Sequence, residues 1–311
     1  MSKYSGKIGI TTGDVNGIGA EVTVKALNRL KLPEDKVVII SNRRVLDFYG
    51  KLDIPYEVVE VPFEGEIEVG KLTAMSGEFS YKCLERVCEI RPKAIVTAPV
   101  AKHAMHLAGH IFNGQTEVLQ KHLAHDGQHA EMLFVAKDFR VLLLTRHCAL
   151  KDICLTEELI YKKVFDLAIV MKEKFAISTP KFAICGLNPH AGEDGIIGRE
   201  ELEVMKPAIK RLREEGISIT EPLPADTLFI DAGRCYNFGK KLPYDCYISP
   251  YHDQGLIPIK TVAGYGTVNM TIGLDIIRTS PGHGTAFDIA GQNVADETGM
   301  IEAIRSALEV A

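Results

Sequence analysis

The chain has 311 residues, 46% of them apolar and 25% charged, with 36 basic against 41 acidic side chains. That length suits one large α/β unit or two modest lobes, and its ordinary globular composition excludes disorder, collagen-like repeats and coiled coil. The net charge of -5 argues against nucleic acid as a bulk electrostatic partner, and no apolar run is long enough to span a membrane.

In chain order, the first apolar run, Lys7 to Thr12, leads through glycines into EVTVKALNRL, which has helical spacing. Val37-Val38-Ile39-Ile40 reads as a buried strand, and Ala94–Thr97, Val141–Leu144, Phe182–Ile184 and Cys246–Ile248 repeat the pattern. Charged amphipathic segments at 156–174 and 199–215 lie between them. Short apolar strands alternating with helices predict an α/β fold with a mostly parallel sheet covered on both faces. The N-terminus shows no charged segment followed by an apolar stretch, so no signal peptide is expected. Seven cysteines without a CxxC pair predict a reduced, cytoplasmic protein.

Polar, Gly-rich stretches fall at strand ends: 11–19, 97–117, 187–198, 222–227, 250–260 and 264–291. In open α/β sheets ligands bind beyond the strand C-termini. The first stretch, Gly13-Asp14-Val15-Asn16-Gly17-Ile18-Gly19, has GxxxGxG spacing, not the GxGxxG of a Rossmann dinucleotide site. It reads equally as a phosphate cradle and as a tight strand-to-helix turn.

Nine of the ten histidines divide into two sets, and the tenth, His283, lies in the small-residue string 280–291. His103, His106 and His110, and likewise His122, His125 and His129, have a spacing that would line one helix face, yet their Lys- and Gln-rich surroundings favour solvated or capping roles. His147, His190 and His252 each follow an apolar strand in a turn-forming context. Two readings of these stand: unrelated loop residues, or imidazoles converging on a divalent metal with open positions for substrate. In the last third, Lys260, Asn269 and Arg278 sit among apolar flanks and suit a phosphorylated or carboxylated ligand. The string SPGHGTAFDIAG (280–291) is dense in small residues, as a loop shaped around a ligand would be.

Eight strings together resemble the 4-hydroxythreonine-4-phosphate dehydrogenase (PdxA) family: ITTGDVNGIGAE, IVTAPVAKHA, FNGQTEVL, LLLTRHCALKDI, GLNPHAGEDGIIGREE, PLPADTLF, YHDQGLIPIK and NMTIGLDIIRTSPGHGTAFDIAG. They occur in family order across residues 8–291. The resemblance implies a two-lobed fold like that of isocitrate and isopropylmalate dehydrogenases, with a cleft between lobes. The expected division is residues 1–135 plus 266–311 against 136–265. It implies a homodimer whose metal site is shared across the interface, with His147, His190 and His252 as ligands. Zinc suits imidazole ligands best, with magnesium, manganese or cobalt as alternatives. It further implies substrate contacts at Gln115, Thr116, Lys260, Asn269 and Arg278.

The implied reaction is NAD-dependent oxidation of the C3 hydroxyl of 4-phosphohydroxy-L-threonine, followed by decarboxylation to 3-amino-2-oxopropyl phosphate, in pyridoxal phosphate (vitamin B6) synthesis. Asp226 is the candidate carboxylate near the metal or proton acceptor. Lys102 is a candidate acid/base if desolvation brings it nearer neutrality. N-capping and ion pairing are the plainer roles for these two. The HGTAFDIAG string resembles the adenosine-binding loop of isopropylmalate dehydrogenases, which implies cofactor contacts at Gly284, Thr285, Ala286 and Asp288. A carboxylate at 288 would accept the ribose 2′-OH and repel a 2′-phosphate, favouring NAD over NADP.

One position departs from the family pattern: Gly114-Gln115-Thr116-Glu117 stands where most members have GHTE. Glutamine still donates to a phosphate or hydroxyl, but does not titrate near neutral pH. Alternative substrates are therefore 4-phospho-D-threonate or D-erythronate, or a cis-dihydrodiol. A phosphate acyltransferase or a catalytically silent binding protein on the same scaffold are rival classes, which the three strand-end histidines and the intact HGTAFDIAG string disfavour.

Overall fold

A computed structural model describes residues 2–311. The elements in chain order begin with β1 (Ile8–Thr11), α1 (Gly19–Leu30), β2 (Val37–Ser41), α2 (Arg43–Tyr49), β3 (Glu57–Glu60) and α3 (Ala74–Ile90). There follow β4 (Ala94–Thr97), α4 (Lys102–Leu107), α5 (Gln115–Leu123), β5 (Glu131–Ala136), β6 (Phe139–Leu143) and α6 (Glu157–Glu173). The remainder is β7 (Lys181–Ile184), α7 (Lys206–Glu214), β8 (Ser218–Ile219), α8 (Ala225–Asn237), β9 (Cys246–Ser249), α9 (His252–Ala263), β10 (Val268–Ile272), β11 (Arg278–Pro281) and α10 (Thr298–Val310). The chain divides into two compact units, Met1–Ala130 with Val268–Ala311, and Glu131–Thr267.

In the first unit the strands run in the order β3-β2-β1-β4-β11-β10, parallel except for the antiparallel β10/β11 pair. Along β2, Val37 and Ile39 pack into one apolar cluster with α1 and α10, while Val38 and Ile40 pack into another with α3. That alternation between two cores is why the strand reads as a continuous apolar run. Thr73 caps α3 by accepting the Ser76 N–H at 3.1 Å.

In the second unit the order is β5-β6-β9-β7-β8, with β5/β6 antiparallel and the rest parallel. Its core joins Phe139, Val141, Tyr247, Leu256 and Ile259. Thr156 caps α6 by accepting the Leu159 N–H at 3.1 Å, with Glu157 and Glu158 in the first turn where the helix dipole favours them.

The six expected strands are present. Strands β3, β5, β8, β10 and β11 are additional, and β10 and β11 occupy what reads in sequence as one long loop over 264–291. Their residues (VNMTI, RTSP) lack an apolar run because polar side chains interrupt it, Thr271 and Arg278 meeting each other and Thr97 in a buried polar cluster. The segment expected as one helix over 199–215 opens with a π-helical turn, Glu201–Met205, before α7. All seven cysteines are free. Among the described residues no helix is long and apolar enough to cross a membrane.

Candidate active site

Within the first unit, the strand-end loops are knitted together. Gly13 has φ +70°, and a Cβ there would stand 2.1 Å from Pro99 O, so only glycine lets the loop lie against 98–101. Ala98 N–H donates to Thr11 O at 3.0 Å, and Asp14 N–H to Pro99 O at 3.0 Å. The same loop meets the small-residue loop after β11, where Ile18 N–H donates to Thr285 O at 3.0 Å. Two segments that look independent in sequence are thus one surface. Gly284 and Asp288 on it are exposed, and Ala286 is held at φ 43°.

Asp14 is fully buried, a feature that sequence reasoning missed. Its carboxylate accepts from Asn16 N at 2.9 Å and Ser76 Oγ at 3.2 Å, and from the Ala101 N–H just before α4. Burial pushes its pKa up to about 6 against those hydrogen bonds. A folded value above the unfolded one makes the folded chain bind more protons between about pH 4 and about pH 6. Stability from this group is therefore full at low pH and lost as pH rises through about 6, by about 3 kcal/mol. Asp14→Asn is expected to flatten that fall, read as urea midpoints between about pH 4.5 and about pH 7.5. An unchanged slope would show that Asp14 does not titrate there.

Arg278 opens β11 opposite Thr271 of β10 and is 3% exposed. Its Nε donates to Thr97 Oγ1 at 2.7 Å and its guanidinium reaches Thr271 Oγ1 at 3.5 Å. Among the described residues no carboxylate pairs with it, and burial alone lowers its pKa to about 9. Asn269 lies on the same face of β10, two residues before Thr271, and its Oδ1 is buried without a donor. Gln115 opens α5, donates from Nε2 to Ala98 O at 3.2 Å, and leaves Oε1 buried without a donor. The Thr97-Ala98 step therefore touches both Arg278 and Gln115. A buried cation answered among the described residues by hydroxyls, with two amide oxygens lacking donors, has the chemistry to take an oxyanion that also carries hydroxyl or ammonium groups.

Lys102 is exposed on the first turn of α4, so the desolvation expected of it is absent within this chain. Thr116 is half-buried beside Gln115. Lys260 lies in the second unit, exposed on α9.

In the second unit, β6, β9 and β7 are parallel neighbours, so their C-terminal ends lie side by side. His147 follows β6, His252 follows β9 and His190 follows β7. The rings of His147 and His252 stand 5.3 Å apart. His252 Nδ1 is held by Asp253 at 2.7 Å, and His190 Nδ1 by Glu193 at 2.5 Å. His190 begins a left-handed run through Gly195 that includes Ala191, Glu193 and Asp194, each with φ above +40°. Left-handed backbone costs non-glycine residues roughly 1–2 kcal/mol each, and such strain gathers at functional sites. The buried Glu201 braces this turn, accepting from Asn188 N at 2.8 Å and Nδ2 at 3.0 Å.

Convergence of all three imidazoles is not met within one chain. Among the described residues no three metal-binding side chains stand together, and the left-handed turn carries His190 toward α8, where the field of the exposed Asp226 reaches it. The two helical histidine trios are not realised either. Helix α4 ends before His110, and α5 before His125 and His129. Their rings make structural bonds instead: His106 to Phe112 O, His110 to Glu78, His122 to Tyr81 and His125 to Asp275.

The imidazoles suit a metal in one checkable respect. A carboxylate on Nδ1 fixes the tautomer of His190 and of His252 with the Nε2 lone pair available, the usual support for a metal-ligating histidine.

The fold is shared with isocitrate dehydrogenase from Methylococcus capsulatus, which superposes with a TM-score of 0.52 at 14% identity, over 97% of this chain and 85% of that one. A much nearer structure is the 4-hydroxythreonine-4-phosphate dehydrogenase from Klebsiella pneumoniae, with TM-score 0.86, 30% identity and 98% of each chain covered. The profile of the family described as pyridoxal phosphate biosynthetic protein PdxA matches residues 16–307, and the chain belongs to that family. Among its relatives, the 4-hydroxythreonine-4-phosphate dehydrogenase of Sulfurihydrogenibium sp. is 37% identical over 97% of both chains. The D-threonate 4-phosphate dehydrogenase of Cupriavidus necator is 36% identical over 100% of this chain and 99% of its own.

Proposed function

We propose that this protein is an NAD-dependent dehydrogenase that oxidises the C3 hydroxyl of 4-phosphohydroxy-L-threonine and releases CO2, leaving 3-amino-2-oxopropyl phosphate. The observation that carries this reading is the buried Arg278, a cation whose partners are hydroxyls only. Family membership supplies the dehydrogenase chemistry.

Arg278 takes an anionic group of the substrate, and Gln115, Thr116 and Asn269 orient its hydroxyl and amino groups. Lys260 supplies a second positive charge to the substrate. His147, His190 and His252 hold a divalent ion, zinc by preference for imidazole, in a site shared between the subunits of a homodimer. When bound, that ion supplies a Lewis acid for the substrate oxygen. Asp226, whose charge is felt at His190, accepts a proton, and Lys102 is a proton donor that becomes effective only once water is excluded from it. The loop carrying Gly284, Thr285 and Ala286 holds the adenosine of NAD, with Asp288 accepting from the ribose 2′-OH. The reaction belongs in the cytoplasm, where NAD is available.

The near-equal identity to a D-threonate 4-phosphate dehydrogenase favours that substrate as a second reading. Both differ from a simple hydroxy acid by the phosphate and from each other at C2, amino against hydroxyl. One experiment separates them: NADH formation by the zinc-loaded protein with each substrate in turn, with NADP and EDTA as controls. Turnover of 4-phosphohydroxy-L-threonine that EDTA abolishes is expected, at a rate with NADP at least tenfold lower. Turnover of the D-threonate phosphate alone would replace the first reading by the second. Silence with both would remove the proposed activity.

A further inference from the structure

We propose that Arg146 is an anion-binding residue of the histidine pocket in the second unit, taking a carboxylate or phosphate oxyanion of the substrate. His147 and His252 share a pocket of about 280 Å³ with Arg146, Cys148, Tyr251 and Asp253, a size that fits one small polar molecule. The pocket wall is fixed at its base, because Thr145 donates to Pro250 O from both its N–H (3.1 Å) and its hydroxyl (2.7 Å).

Neither acid around Arg146 is its ion-pair partner. Behind it, Lys163 and Glu131 form a buried ion pair, each side chain 9% exposed, so the Glu131 charge is already answered. Burial lowers the Lys163 pKa, Glu131 opposes that, and the positive charge of Arg146 adds to the lowering. Asp253 is the acid of the pocket wall itself, and its partner is His252 Nδ1 at 2.7 Å. Among the described residues no carboxylate pairs with Arg146. Arg146 is thus a half-buried guanidinium in the pocket wall with neither acid as its ion-pair partner, which suits it to an oxyanion from outside the chain.

The inference uses the proposed function for the substrate's identity, but the anion site itself stands without it. Two measurements keep them apart. In the first, inorganic phosphate and D-threonate are titrated separately into wild type and Arg146→Gln by calorimetry. One of the two probes is expected to bind wild type and to lose at least tenfold in affinity in the variant, and which one it is identifies phosphate or carboxylate as the group bound. Equal binding in both proteins, or no binding to wild type, overturns the site whatever the enzyme's activity. In the second, KM for the turned-over substrate is expected to rise about 30-fold in Arg146→Gln with kcat within about threefold. Arg146→Lys should recover most of that loss, since a point charge is restored. Zinc content is expected to equal that of wild type. A parallel fall of zinc content and activity would show that Arg146 merely shapes the histidine loop, and overturns the inference.

Discussion

Arg278→Met is expected to abolish turnover and at the same time to raise the melting temperature. The guanidinium is removed from water, has only the Thr97 and Thr271 hydroxyls as partners, and burial lowers its pKa to about 9. Replacing an ill-compensated buried charge by an apolar side chain of similar length is neutral or stabilising by about 1–4 kcal/mol, a shift of a few degrees for a chain of this size. Function runs the other way. Losing a desolvated charge-assisted contact to an oxyanion costs about 2–5 kcal/mol, so kcat/KM should fall by roughly 10²–10³ or more. Thermal scans with and without inorganic phosphate test both halves. Phosphate should stabilise wild type more than Arg278→Met, and Arg146→Gln/Arg278→Met should be left unmoved. A variant less stable than wild type would instead make Arg278 a structural residue of the β10/β11 pair.

His252→Ala should cost at least 10³-fold in turnover and remove the bound zinc, whereas His110→Ala should leave both within about twofold. The reasoning is local. His252 is half-buried, shares a pocket with His147 and has its tautomer set by Asp253, while His110 is tied to Glu78 and stacked on Tyr81. Metal content after dialysis, measured beside turnover, separates loss of the ion from loss of fold. Asp253→Asn gives the graded case, about 10–100-fold weaker zinc binding, because it loosens the ring without removing it. Zinc retained in His252→Ala would take that residue out of the ligand set.

Some features were legible without coordinates because they depend on neighbours in the chain. The strands β1, β2, β4, β6, β7 and β9 announce themselves as apolar runs because both of their faces are covered. The caps at Thr73 and Thr156 are of the same kind, although they were not singled out. His147, His190 and His252 stood out because each follows such a strand. By contrast β10 and β11 intersperse asparagine, threonine, arginine and serine among their apolar residues, and Arg278 is buried against Thr97 and Thr271, so no apolar period marks them. Asp14 looks in sequence like one more turn residue. Its burial depends on Ser76 and on the start of α4, 62 and 87 positions away.

The sequence by itself determined the α/β class, the family, the six covered strands and the roster of candidate side chains, because apolar periodicity and ordered motifs are properties of the chain in one dimension. Only the tertiary structure decided which candidates meet. The parallel order β6-β9-β7 sets His147 beside His252, while the left-handed turn after Pro189 directs His190 toward Asp226. Helix ends at Leu107 and Leu123 dissolve the two histidine trios. The bare charges of Arg278 and Arg146 likewise emerge only in three dimensions, because whether a cation is answered depends on partners that strand pairing and burial bring within reach.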